Sequence, residues 1–151
     1  MDKYWLKFPS VEGFKRVALH EKKGFYRFAD EKDNLLPGKF SKALDFCNGF
    51  AIVGLPNQDK LTFMDKEGKL FAGRYVECRN FSEGLAPVKH ENGKWGYVNE
   101  NGKETRAIFD FAYKFENGKA HVILDQKHHY IDKTGKKLEE PAIIEQLQMD
   151  I

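Results

Sequence analysis

The sequence predicts an all-β fold: about four tandem antiparallel β-meander repeats of ~35 residues, stacked in an array and closed by a short C-terminal capping helix. Three observations predict it. A Phe-x-x-Gly-x-Ala-x-Val pattern recurs at Phe46, Gly49, Ala51, Val53, at Phe81, Gly84, Ala86, Val88, and at Phe115, Gly118, Ala120, Val122, with a degenerate copy at Gly13 and Val17. Within each copy Gly, Ala and Val stand two residues apart, the period at which strand side chains return to one face. An aromatic follows each copy (Phe28, Phe63, Tyr97, Tyr130). Two residues later comes Asp30, Asp65, Asn99 or Asp132, and five later Asp33, Gly68, Gly102 or Gly135, which are residue types that form tight turns.

The spacings separate a constant leg from a variable one. Phe28 to Phe46, Phe63 to Phe81 and Tyr97 to Phe115 are each 18 residues, whereas Val17–Phe28, Val53–Phe63, Val88–Tyr97 and Val122–Tyr130 fall from 11 to 10, 9 and 8. Loop tips tolerate insertion because few contacts depend on them. The constant leg therefore carries the packing, and the variable leg projects into solvent. The units fall at 4–39, 40–74, 75–108 and 109–138, with a cap over 139–151, in a single domain.

Taken in order, the chain enters midway through a unit, because Lys3-Tyr4 aligns with Lys39-Phe40. Tyr4, Trp5, Leu6 and Phe8 are then expected to cover the end of the stack. In each full unit the Gly of Phe-x-x-Gly marks a turn needing positive φ or a close backbone approach. The strand after it carries Gly84, Ala86 and Val88, or Ala51, Val53 and Leu55, or Ala120, Val122 and Leu124, on a small apolar core face. The opposite face drifts from Phe50 and Ile52 through Leu85 and Pro87 to Lys119 and His121, so it is expected to be partly exposed. A hairpin tip follows: Asn92-Gly93 is a type I′ signal, and Asn57–Lys60 and Asp125–Lys127 are looser forms. The second strand (Trp95–Val98 and equivalents) ends in the Asp/Asn…Gly turn, expected to be type I with a Gly bulge. A third piece, 108–114 with 39–45 and 74–80, aligns Phe40, Tyr75 and Phe109. It reads as a short strand entering a tight turn, with a helical turn as the alternative. The tail opens at Glu139-Glu140-Pro141 and places Ile143, Ile144, Leu147 and Ile151 at helical spacing, with Pro suited to a first helical position.

Phe81–Val88 (FSEGLAPV) and Gly93–Lys103 (GKWGYVNENGK) resemble the WG repeat of bacterial proteins, also called KWG. The resemblance is close over 81–103, looser over 46–69 and 115–136, and faint before residue 40. The Trp-Gly pair itself stands only at Trp95-Gly96; Tyr26-Arg27, Leu61-Thr62 and His128-His129 replace it elsewhere. The resemblance implies a non-catalytic β-repeat.

Composition narrows the function classes. Twenty-five basic residues against 23 acidic ones leave a formal charge of +2, too balanced to argue for nucleic acid. Residues 12–42, including Lys22-Lys23, hold a mild basic excess, but the interleaved aromatics recur at core positions. No apolar run reaches membrane-spanning length. The start, MDKYWLKF, shows no secretory signal, and two Cys make no disulfide framework, so a reducing cytoplasm is the expected setting. His121 and His129 are the histidines that could share a face, with no Cys or carboxylate at zinc-like spacing. Cys78 aligns with Ala43 and Ala112 and is expected to be buried; Cys47, in the turn, is expected to be exposed. No nucleophile elbow or phosphate-binding Gly-Lys-Ser/Thr is present. The acids recur at turn positions once per unit, so no enzyme and no cofactor is expected.

Three classes remain: a protein-binding repeat, with a toxin-neutralising immunity protein as its sharpest form; a carbohydrate or cell-wall binder; and a structural repeat without ligand. Sugar sites repeated along the chain would keep the Trp in every unit, which favours the first class. Its candidate surface is the hairpin tips, Lys22, Lys23, Asp59, Lys60, Glu91, Lys94, Asp125 and Lys127, whose mixed charge would set orientation and partner choice. The acids of the tail, Glu139, Glu140, Glu145 and Asp150, are secondary candidates. A monomer facing one protein partner is the expected state.

Overall fold

The structure is a computed structural model and describes residues 4–19 and 25–138. Every regular element among these residues is a β-strand. The expected capping helix over 139–151 lies outside the described residues. The chain divides into two compact units, Met1–Asn80 and Phe81–Ile151.

The first unit holds β1 (Tyr4–Lys7), β2 (Phe14–Leu19), β3 (Tyr26–Asp30), β4 (Lys42–Ala43), β5 (Phe50–Gly54), β6 (Leu61–Asp65) and β7 (Glu77–Cys78). β1-β2-β3 and β4-β5-β6 are antiparallel three-stranded sheets. The second unit holds β8 (Leu85–Lys89), β9 (Trp95–Asn99), β10 (Phe111–Glu116), β11 (Lys119–Leu124) and β12 (Lys127–Asp132). β8 pairs antiparallel with β9, and β10-β11-β12 form a further sheet. These are the meanders that the alternation of apolar residues predicts. Phe40, Tyr75 and Phe109 exchange backbone hydrogen bonds with Tyr26, Leu61 and Trp95 at 2.7–3.1 Å. The third piece is thus an extended bridge into a short strand, not a helical turn.

Two turns recur, and both are built from local chemistry. Ahead of each hairpin, Glu12-Gly13, Asn48-Gly49, Glu83-Gly84 and Asn117-Gly118 all have positive φ at both residues, between 52° and 92°. That pair of left-handed residues defines a type I′ turn, whose twist matches the flanking strands. Flanking residues close it: Ser82 and Leu85 exchange N–H···O bonds of 2.9 and 3.2 Å. After each hairpin, Asp30, Asp65, Asn99 or Asp132 accepts at Oδ1 the N–H groups two and four residues on, at 2.8–3.0 Å. The N–H three residues on, from Asp33, Gly68, Gly102 or Gly135, bonds back to the first carbonyl. This is the expected type I turn with a bulge; Asp33 takes φ 65° where the other copies carry Gly.

Asn92-Gly93 corrects the sequence reading. Gly93 has φ 81°, but Asn92 is not in the left-handed region, so the tip is not type I′. His90 and Lys94 bracket three residues, and Gly93 N–H donates to His90 C=O at 2.9 Å. The Asn92 side chain accepts from Lys94 N–H at 2.9 Å. The loop is one residue too long for the two-residue turn, and it adopts the bulged form instead.

The Gly-Ala-Val face is core as predicted: Ala51, Val53, Ala86, Val88 and Val122 are all 0% exposed. In the first unit, Phe28, Phe40, Phe46 and Met64 complete the core, with the Phe28 and Phe46 rings 5.1 Å apart. In the second, Trp95, Tyr97, Phe109, Phe115 and Ile131 do so. The opposite face is more covered than expected in β5 and β8. Ile52 sits across from Phe63 with both buried, and Pro87 is buried too. In β11, Lys119 and His121 are half-buried, as the polar drift predicts.

Candidate functional site

The hairpin tips fall into three groups. Lys22 and Lys23 lie outside the described residues, as do Glu139, Glu140, Glu145 and Asp150. In the first unit, Asp59 is exposed and Lys60 half-buried; together with Ser41, Lys42, Gln58 and Val76 they line a shallow polar hollow. In the second unit, Glu91, Asp125 and Lys127 are exposed and Lys94 is half-buried.

One residue that sequence reasoning missed organises the second-unit tips. Asp110 Oδ1 lies 2.5 Å from Lys94 Nζ, and its Oδ2 accepts the N–H of Gln126 at 2.9 Å. Asp125 and Gln126 both have positive φ, 50° and 67°, so the β11–β12 tip is itself a type I′ turn that leaves its amide hydrogens for Asp110. One carboxylate thus ties the β8–β9 tip to the β11–β12 tip. The Lys94 ammonium, then the backbone donors, hold the Asp110 carboxyl below its usual range. Asp110 in turn pushes Lys94 up. The only sequence signal was an acid immediately after the aligned aromatic Phe109.

A second arrangement lies on the type I′ turns. The Glu12 carboxylate accepts the N–H groups of Asn48 and Gly49 at 2.8 and 3.0 Å, with Lys66 Nζ at 3.4 Å. The Glu83 carboxylate does the same with Asn117 and Gly118 at 2.6 and 2.9 Å, with Lys133 at 3.4 Å. Two consecutive left-handed residues point their N–H groups the same way and form a small anion nest. The backbone bond from Gly49 or Gly118 is the main cause that holds each glutamate below its usual range. These acids fasten one meander to the next and are committed to that task.

The histidines pair differently from the sequence expectation. His121 Nε2 is 2.7 Å from His128 Nδ1, while His129 faces the other side of β12. In the register, His121 opposes Tyr130 and Ile123 opposes His128, so the diagonal neighbour on the shared face is His128. Burial, then His128, pushes His121 down. Among the described residues no group of three His, Cys, Asp or Glu side chains could hold a metal ion. Cys47 and Cys78 are both half-buried, so Cys47 is less exposed than its turn position suggested and Cys78 less buried than its alignment with Ala43 and Ala112 suggested. Burial pushes the Cys78 thiol up.

Trp95 is 3% exposed, and its ring lies 4.9 Å from Phe111. Gly96 beside it serves a close approach: a Cβ there would come 3.0 Å from the Arg106 carbonyl oxygen. The Trp-Gly pair is therefore a packing device in this chain.

The family described as "WG containing repeat" matches residues 62–95 and 95–127. No curated protein matches the sequence. Among solved structures, "KlHsv2 with loop 6CD replaced by a Gly-Ser linker" superposes with a TM-score of 0.53 at 9% identity, over 91% of this chain and 52% of that one. This chain thus spans about half the length of that structure. The computationally designed Ika4 protein gives 0.47 at 11% identity, over 81% and 86% of the two chains. Virginiamycin B lyase from Staphylococcus aureus gives 0.42 at 14% identity, over 88% and 53%.

Proposed function

We propose that this chain, whose residues 62–95 and 95–127 match the family described as "WG containing repeat", is a non-catalytic scaffold that binds a protein partner through its hairpin tips. The observation that carries the reading is Asp110, which ties the tips bearing Glu91, Lys94, Asp125 and Lys127 into one charged edge. An edge ordered before binding loses less conformational freedom on association. Its alternating charges select a partner and its orientation.

What supports binding over catalysis is how the acids are used. Asp30, Asp65 and Asp132 fasten turns, Glu12 and Glu83 clasp neighbouring turns, and Asp110 ties tips. What counts against sugar binding is the burial of Trp95, since a stacking platform must face solvent. No helix among the described residues is long and apolar enough to cross a membrane. As the narrower class we propose an inhibitor that neutralises a protein toxin in the cytoplasm.

The test is capture of a partner from source-cell extract by the wild-type chain and by a tip variant, Asp59→Lys, Glu91→Lys, Lys127→Glu, with melting followed separately. A saturable partner lost by the variant at unchanged melting temperature supports the reading. Undiminished capture places the surface elsewhere and refutes it. For the narrower class, co-expression with a captured toxin should restore growth, and growth arrest that persists rejects it.

A further inference from the structure

We infer that the second unit holds a binding site for a small apolar carboxylic acid, in the hollow between Thr105–Arg106 and Lys133–Gly135. The inference stands apart from the partner-binding tips and does not rest on them.

It begins with a seam that occurs in both units. Six residues after Asp30 stands Leu36, whose N–H donates to Phe28 C=O at 2.9 Å. Leu36 packs on the core of Phe28, Phe40, Phe46 and Met64. Pro37, the next residue, lies directly against Gly68: a Cβ on Gly68 would come 2.6 Å from Pro37 Cδ. In the first unit this seam is filled.

The equivalent residue in the second unit is Thr105, whose N–H donates to Tyr97 C=O at 2.8 Å. Phe71 and Leu138 make the same backbone bond in the other copies, so Thr105 is the polar exception at an apolar position. Its hydroxyl accepts the Tyr97 N–H at 2.8 Å, so this position adds no apolar side chain to the seam. Arg106 stands where Pro37 stands. Leu85 takes the place of Phe14, and Ile131 that of Met64. The matching glycine, Gly135, has φ 89°, and a Cβ there would meet nothing within 4 Å. The volume given up at these positions is a hollow of about 290 Å³.

The lining sets the ligand class. The floor is Leu85, Tyr97, Phe109, Phe115 and Ile131, with the exposed Arg106, Ile108, Lys133 and Thr134 at the rim. Tyr97 adds no free hydroxyl, because its O–H donates to Tyr113 C=O at 2.6 Å. Lys133 is shared with Glu83, but Arg106 has no carboxylate partner among the described residues. Ligand sites are concave and mostly apolar, with a few placed polar groups. This one has room for one ring or a branched aliphatic group, and its free guanidinium suits a carboxylate, which it can hold through two parallel bonds. A neutral apolar molecule would fill the floor and leave the guanidinium unused.

The experiment titrates the full chain with 3-phenylpropionate, following backbone amide resonances, with 3-phenylpropanol and propionate as half-probes. Saturable shifts are expected at Leu85, Tyr97, Ile108 and Ile131, with each half-probe weaker by on the order of tenfold. Arg106→Gln should weaken the acid by a similar factor and leave the alcohol unchanged. The pair Thr105→Leu with Arg106→Pro copies Leu36-Pro37; it should abolish binding and raise the melting temperature. Should that pair fail to fold, Leu85→Phe with Ile131→Met copies Phe14 and Met64, and should abolish binding in the same way. Absence of saturable shifts, equal shifts with the alcohol, or binding indifferent to Arg106→Gln overturns the inference.

Discussion

Gly68 and Gly135 occupy the same turn position with φ 88° and 89°, and replacing each by Ala isolates the contact that distinguishes their surroundings. A left-handed conformation costs an L-residue about 1–2 kcal/mol, and this term is common to both. So is the smaller gain from a less flexible unfolded chain. At Gly135 nothing else is added, because the new methyl meets nothing within 4 Å. At Gly68 the methyl would lie 2.6 Å from Pro37 Cδ and 3.3 Å from its Cγ. A ring closed on the backbone cannot rotate away, so an overpacking cost of about 1–3 kcal/mol applies. Gly135→Ala should therefore destabilise by about 1–2 kcal/mol and Gly68→Ala by about 2–5 kcal/mol. Urea unfolding with fitted slopes measures both. A double-mutant cycle with Pro37→Ala should return the excess at Gly68 as coupling and show none at Gly135. Equal losses for the two glycines, or a cycle without coupling, would refute the filled-versus-open account of the seam.

Three further outcomes are expected. Glu12, Glu83 and Asp110 are all held below the ordinary carboxylate range, by backbone N–H groups or Lys94. A depressed folded pKa gives stability that is complete above the unfolded value, about 4, and is lost as pH falls through the folded value. The melting temperature should therefore decline first below about pH 6.5, where the depressed His121 and His129 lose stability on protonation, and again below about pH 4 through the carboxylates. Glu83→Gln should make this second limb shallower, and an unchanged limb removes Glu83 from the account. Ala86→Asp puts a charge at a fully buried position and should cost several kcal/mol or unfold the chain. Asn92→Ala, at an exposed tip, should cost about 1 kcal/mol, and equal melting of the two would overturn the assignment of faces. Finally, Cys78 should react with a thiol reagent more slowly than Cys47, because burial disfavours its thiolate; equal rates would contradict this.

What was legible in the sequence depended on the range of the interaction. The turns at Asp65–Gly68 and Asn99–Gly102 could be read because donor and acceptor lie within four residues. The Gly-Ala-Val face could be read because alternation reports burial directly. Asn92-Gly93 misled because the dipeptide permits a type I′ turn while loop length decides it. The true type I′ turns include Glu12-Gly13 and Glu83-Gly84, whose glutamates are not a usual left-handed residue. Their carboxylate contacts span 36 and 34 residues, and no local pattern encodes such a distance. The His121–His128 contact needed the strand register. The hollow beside Arg106 needed the volumes of residues from several strands, and only the isolated polarity of Thr105 among Leu36, Phe71 and Leu138 hinted at it.

The glutamate clasps bear on how such a chain can change length. Of the four type I′ turns that precede the hairpins among the described residues, those at Glu12 and Glu83 bring the carboxylate, and those at Asn48 and Asn117 bring the amide hydrogens it holds. Donor and acceptor thus alternate along the sequence, and the heritable segment is a pair of meanders, not one. Deleting a single copy would leave a glutamate with no nest to enter or a nest with no anion; deleting two adjacent copies removes both halves together. Gains and losses in this lineage are therefore expected in even steps, and a one-copy deletion should cost more stability per residue removed than a two-copy deletion.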